Sequence, residues 1–190
     1  MNYFPAYIKI DNKKVLIVGG GKIAKDKLVH LLDFTKNISI IAIKISDEIK
    51  TIAFRNNLST IEKKYEKNNI NGYDIVIIAV DKVKIQKDIF TEASKKHILC
   101  NAVDSVDYCD FIFPSYIKKG DLTISVSTSG SSPAVAKYLR KYIEQILPNG
   151  IDNFLVNMKN YRKKLPKGAL RMKYLDEKAR LFFDKKRKKQ

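Results

Sequence analysis

Cysteine and histidine are scarce in this 190-residue chain, with two of each. Cys100 and Cys109 form no C-x-x-C pair and follow no export signal, so they read as reduced thiols of a cytoplasmic protein. His30 and His97 sit in separate segments, and a preassembled His/Cys metal site is not expected. Long uncharged apolar runs are missing, which argues against a membrane span. Residues 1–7 lack the charged-then-apolar order of a signal peptide. Acidic residues are the other shortage, 20 Asp and Glu against 37 Lys and Arg, for a net charge of +17. The imbalance is local. Residues 1–113 carry 18 basic and 14 acidic side chains, whereas residues 114–190 carry 19 and 6. A basic surface of that kind suits a polyanionic small molecule, nucleic acid or an anionic membrane. The excess of lysine over arginine, 31 to 6, fits a general compositional bias equally well.

With 45% apolar residues, the chain can bury a real core in one or two domains. Its organising stretch is Lys14-Val15-Leu16-Ile17-Val18-Gly19-Gly20-Gly21-Lys22-Ile23-Ala24. An apolar run meets three glycines, and a helical pattern (Ala24, Leu28, Leu31, Leu32) follows at once. This predicts a buried parallel strand turning into a helix whose free N–H groups face an anion. Gly19 permits the turn, Gly21 lets a pyrophosphate approach the backbone, and Ala24 lets the helix pack closely on the strand. Gly19, Gly21, Lys22, Ile23 and Ala24 are therefore candidate cofactor-binding residues. Glycine also serves tight strand-to-helix turns for steric reasons alone, and the surrounding context has to decide.

That context is a βα alternation. Strands are expected over 38–43, 58–61, 74–80 and 97–102, helices over 46–56 and 84–96, and a linker or irregular stretch over 63–71. Such spacing means βαβ units and a doubly wound parallel sheet of the Rossmann-like α/β class. An apolar arm, residues 3–10, is expected to pack on the sheet edge. Two β-rich runs, 111–117 and 122–127, flank Lys118-Lys119-Gly120-Asp121 as a hairpin. Ser132 and Pro133 then start an amphipathic helix with Val135, Leu139, Ile143 and Ile146 on one face. The remainder is helical and lysine-rich, broken near Pro166 and Gly168. The expected division is a dinucleotide-binding domain over 1–113, a small hairpin-plus-helix domain over 114–149 and a basic helical tail over 150–190.

Ligands of open α/β sheets lie beyond the carboxyl ends of the strands. Asp104, just past one strand, is thus a candidate general base. Ala79, Val80 and Asp81, ending another, are expected to line the cofactor pocket, and Asp107 and Asp110 read as turn and hairpin-cap residues. The second strand ends in Ile43 and Lys44 with no acid to grip a ribose 2′-hydroxyl; backbone there can serve, and Lys44 would tolerate a 2′-phosphate. Ser127, Ser129 and Gly130 belong to a Ser/Gly loop before the helix, suited either to an anion or simply to capping.

In order and spacing, several pieces together resemble the precorrin-2 dehydrogenase family, found also as the N-terminal part of sirohaem synthase. They are Phe4-Pro5, the Val15-to-Ala24 turn, Asn101-Ala102-Val103-Asp104, Cys109-Asp110-Phe111-Ile112-Phe113-Pro114-Ser115, and the Ser127-to-Pro133 loop with its helix. The resemblance covers roughly residues 1–148. It implies NAD-dependent oxidation of precorrin-2 to sirohydrochlorin, toward sirohaem or cobalamin, with Asp104 as the family's essential aspartate and Ser127 near the substrate. It also implies NAD rather than NADP, and a homodimer built by the hairpin and helix of the second domain. Some members also insert ferrous or cobaltous ion into the product. Precorrin-2 is a tetrapyrrole with eight carboxylates, which suits a basic second domain; no nucleic acid or membrane partner is expected. Two alternatives remain open on the sequence. One is an NAD-sensing DNA-binding regulator, disfavoured because the first strand starts near Lys14 and no helix-turn-helix is evident. The other is a chelatase whose dinucleotide site is only structural.

Overall fold

A computed structural model describes residues 3–103 and 105–187. The chain divides into two compact units, 3–112 and from 113 onward. In the first, five parallel strands stand in the order β3-β2-β1-β4-β5. They are β1 (Val15–Val18), β2 (Ile38–Ala42), β3 (Ser59–Glu62), β4 (Ile75–Ile78) and β5 (Leu99–Ala102). Every residue of β1 and β4 is buried, as expected of strands covered on both faces. Helices α1 (Lys22–Leu32) and α2 (Asp47–Asn56) cross from β1 to β2 and from β2 to β3, while α3 (Val83–Lys95) crosses from β4 to β5. The winding reverses direction after β3, so right-handed crossovers put α3 on the face opposite α1 and α2. Ile89 and Ala93 of α3 pack with Leu16, Val18, Val76, Ile78 and Cys100. Because strand side chains alternate, buried Val15, Ile17, Ile75 and Ile77 face the other way.

Three local expectations need correction. The arm before β1 does not pack on the sheet edge through its large side chains, since Phe4 is 87% and Tyr7 71% exposed. His97 is in a left-handed turn (φ 55°), so β5 starts only at Leu99. Asp110 is not a hairpin cap. Its backbone N–H donates to the Cys100 carbonyl, and its carboxylate accepts the Cys100 N–H at 2.8 Å. β5 is an edge strand with backbone groups to satisfy, and Asp110 satisfies a pair of them.

In the second unit, β6 (Ser115–Lys119) and β7 (Leu122–Val126) form the antiparallel hairpin, turning through Gly120 at φ 58° and Asp121. The first strand begins four residues later than its β-rich sequence suggests: Asn101 Nδ2 donates to the Phe111 carbonyl at 2.7 Å, engaging that segment elsewhere. α4 (Pro133–Ile146) packs on the hairpin, with Ile117, Val126 and Ala136 buried. The Ser132 hydroxyl caps it by accepting the Val135 N–H. Val135, Tyr138, Leu139, Tyr142 and Ile146 of α4 stay exposed in the single chain. α5 (Ile151–Lys164) and α6 (Ala169–Arg187) pack together, with Phe154 stacked on Phe182 at 4.1 Å between ring centroids.

Candidate functional site

β1 ends between β2 and β4, where the strand order reverses, and a cleft of about 1260 Å³ opens at the strands' carboxyl ends. The three glycines make it possible, each for a different reason. Gly19 has φ 139°, and a Cβ on it would lie 2.2 Å from the Ala79 carbonyl oxygen. A Cβ on Gly20 would lie 2.1 Å from the Lys44 carbonyl oxygen. These two let the backbone after β1 lie against the ends of β4 and β2; the Gly20 carbonyl accepts the Ser46 N–H at 3.0 Å. Gly20 carried no assignment in the sequence, although a third consecutive glycine was the available signal. Gly21 differs from both: nothing lies within 4 Å of a Cβ built there. It is the N-cap of α1, no side chain caps the helix, and its first turn has no acid. The free N–H groups and the positive end of the helix dipole therefore face open space.

Most of the expected cofactor residues meet in this cleft. Gly19, Gly21, Lys22, Ile23, Ile43, Lys44, Ala79, Val80 and Asp81 all line it. Ala24 does not; it is 1% exposed, in the first turn of α1, where a small side chain permits close packing. Seven further lysines line the cleft, Lys64, Lys67, Lys82, Lys84, Lys87, Lys95 and Lys96. Four of them lie on α3 and its N-cap at helical spacing, a signal readable in the sequence. Glu62, at the end of β3, is engaged: its carboxylate accepts the Ile45 N–H at 3.0 Å and pairs with Lys50 at 2.9 Å.

Asp104 lies outside the described residues. On one side of it, the Val103 N–H donates to the Ile78 carbonyl at 2.9 Å, extending the β4–β5 ladder. Ser127, Ser129 and Gly130 share one exposed loop of the second unit, with φ 50° at Ser129 and 88° at Gly130. The Ser127 hydroxyl accepts the Ser129 N–H at 3.1 Å, and the Thr128 hydroxyl accepts the Ser132 N–H at 3.1 Å. Burial pushes the Cys100 thiol up to about 12 and also raises that of Cys109, so neither is a ready thiolate nucleophile. Among the described residues no three His, Cys, Asp or Glu side chains gather as a metal site. Nor is any helix there long and apolar enough to cross a membrane.

The stretch 63–71 is irregular, as one of its two readings has it, but it is no linker: Lys64, Tyr65 and Lys67 wall the cleft. Glu92 of α3, 8% exposed, accepts hydrogen bonds from the Tyr65 hydroxyl and the Asn68 N–H, both at 2.8 Å, and from Lys96 at 2.7 Å. Burial alone would raise its pKa, but those three donors outweigh it and hold the carboxyl below its usual value. Its contribution to stability is therefore complete above the ordinary glutamate pKa of about 4.3 and fades as pH falls through the lower folded-state value. Glu92→Leu is expected to cost about 2–3 kcal/mol at neutral pH, since charged hydrogen bonds are lost and two donors are orphaned. In urea titrations, that deficit should shrink below about pH 4; a deficit independent of pH would deny the carboxylate this role.

A parallel sheet with a glycine turn and an open cleft at its switch point is a dinucleotide-binding fold. The chain belongs to the NAD(P)-binding family: a model described as "Putative NAD(P)-binding" matches residues 6–115. A second model, "Sirohaem biosynthesis protein central", matches residues 119–146. The siroheme synthase of Pseudoalteromonas translucida is 32% identical over 165 residues, covering 87% of this chain and 35% of that protein. The siroheme synthase of Neisseria meningitidis serogroup C is 33% identical over 151 residues, covering 80% and 32%. The chain thus spans about a third of the length of these relatives. The fold is that of a solved structure titled "SirC, precorrin-2 dehydrogenase", with TM-score 0.77 and 20% identity over 98% of this chain and all of that one.

Proposed function

We propose that the protein oxidises precorrin-2 to sirohydrochlorin with NAD, in the biosynthesis of sirohaem or cobalamin. One observation carries this reading: the NAD(P)-binding match and the sirohaem biosynthesis match follow one another in a single chain, the first on a cleft of the required geometry. The cleft's residues fit the cofactor. Gly21 leaves room for a pyrophosphate at the start of α1, and Lys22 adds a positive charge beside it. Exposed Ile43 offers an apolar contact at the end of β2. When bound, the dinucleotide supplies a hydride acceptor. Oxidation removes two hydrogens from the tetrapyrrole, one as hydride and one as proton, and Asp104 takes the proton. The exposed loop of Ser127, Ser129 and Gly130 carries hydroxyls suited to hydrogen-bonding the substrate's carboxylates. NAD is favoured over NADP on the family resemblance alone, because Ile43 and Lys44 at the end of β2 supply no acid that would select against a 2′-phosphate. The exposed face of α4, Val135, Tyr138, Leu139, Tyr142 and Ile146, suits a second copy of the chain and supports a homodimer.

The test is an anaerobic incubation of the protein with precorrin-2 and NAD or NADP, followed by ferrous or cobaltous ion. Sirohydrochlorin should form in step with reduced cofactor, and faster with NAD. Metal insertion without any oxidation would favour instead a chelatase whose dinucleotide site is structural. Charge gives a second test. An octacarboxylate carries several times the charge of NAD, so raising salt should increase KM for the tetrapyrrole more steeply than KM for NAD, even in a lysine-lined cleft. Equal salt responses would leave the basic second unit without a part in substrate capture.

A further inference from the structure

Gln86 is buried to 4% exposure in the first turns of α3, where a long amide side chain has to satisfy both its ends. It does so across two different segments. Its Nε2 donates to the Val80 carbonyl at 2.7 Å, on the strand end that lines the cleft. Its Oε1 accepts from the hydroxyl of Ser105, the residue following Asp104. Gln86 itself does not line the cleft. Other contacts secure the same segment: the Cys109 thiol donates to the carbonyls of Ala102 at 3.1 Å and Ser105 at 3.3 Å. On the other side of Asp104, Val103 continues the ladder to Ile78.

We propose that Gln86 is a positioning residue: its buried amide ties Ser105, in the loop after β5 and next in sequence to Asp104, to Val80 at the end of β4 on the cofactor side. The role in turnover rests on the dehydrogenase reading; the mechanical tie does not. A helix-borne amide is suited to this because it offers a donor and an acceptor at fixed separation, from an element anchored in the core by Ile89 and Ala93. The ladder bond from Val103 to Ile78 holds the backbone before residue 104 to β4, and Gln86 holds Ser105, after it, to Val80. Catalysis needs that relative placement, because displacement of a proton acceptor by about 1 Å can cost around 100-fold in rate.

Two variants separate the tie from general packing. Gln86→Leu keeps the volume and removes both hydrogen bonds, while Ser105→Ala removes only the link to the Asp104 segment and leaves the bond to Val80. Hydrogen exchange of the full-length protein without ligand should show amides 103–106 exchanging about tenfold faster in both variants, with the β1 and β4 amides unchanged. Each variant should lose roughly 10- to 100-fold in kcat for the tetrapyrrole, with the Kd for NAD by calorimetry changed less than about twofold. The double variant should lose little more than either single one, because both changes cut the same connection. Unchanged exchange at 103–106 would overturn the tie whatever the activity. Faster exchange with full turnover would overturn the positioning role. If the wild-type protein oxidises no tetrapyrrole, the dehydrogenase reading falls, and exchange alone decides whether Gln86 holds the segment.

Discussion

Asp104→Asn is expected to reduce dehydrogenase turnover by roughly 10²–10⁴-fold, the usual worth of a general base, while NAD binding stays intact. Asp104 follows Val103 in sequence, and Val103 continues the β4–β5 ladder at the carboxyl ends of the strands, where ligands of open α/β sheets bind. It can accept the proton that leaves the tetrapyrrole as the hydride departs. An amide of the same shape cannot. The measurements are kcat under anaerobic conditions and NAD affinity by calorimetry, on the same preparation. Metal insertion, if the protein performs it, should suffer as well, because the pyrrole nitrogens must lose protons to accept a cation. An asparagine variant with near wild-type turnover would leave substrate placement and hydride geometry to carry the reaction, and Asp104 would be a binding or turn residue.

The second large effect divides the glycine turn into two kinds of position. Gly19→Ala sets a methyl group 2.2 Å from the Ala79 carbonyl oxygen at a backbone φ of 139°. Backbone on both sides cannot yield cheaply, and strain plus overpacking should cost about 3–5 kcal/mol. That is a large part of the roughly 5–15 kcal/mol that holds a domain together. Gly21→Asp meets open space, so the fold should survive. Its side chain and charge, however, occupy the position required by the pyrophosphate at the start of α1. NAD affinity should fall at least tenfold, which is about 1.4 kcal/mol. Thermal unfolding and calorimetry on both variants check the division. A stable Gly19→Ala protein, or unchanged NAD affinity in Gly21→Asp, would contradict it.

The central strands and the glycine turn were legible because they are local: short apolar runs bounded by turn residues, with glycine where the chain must bend. The parallel sheet followed from their alternation with helices. What escaped was set by partners far apart in sequence. The stretch 63–71 reads as polar linker or irregular chain, yet Ile70 is fully buried there and Tyr65 and Asn68 are tied to Glu92 on α3. Residues 111–113 have strand propensity, but a strand needs an edge to pair with, and Asn101 takes the Phe111 carbonyl first. Asp110 reads as a hairpin cap because its real partner, the edge of β5, is ten residues away. The two ends of Gln86 meet Val80 and Ser105, six and nineteen residues distant in opposite directions. Nothing about a glutamine in a helical pattern announces that.

The most direct test of the account is amide chemical-shift mapping of the protein titrated with NAD. The account predicts shifts concentrated at residues 19–23, 43–44 and 79–81, with the Gly21 and Lys22 amides at the start of α1 among the largest. It predicts their loss in Gly21→Asp at the same NAD concentration. Shifts confined to the exposed lysines of α3, or no saturable response to either NAD or NADP, would show that the cleft beyond β1, β2 and β4 does not hold a nicotinamide dinucleotide.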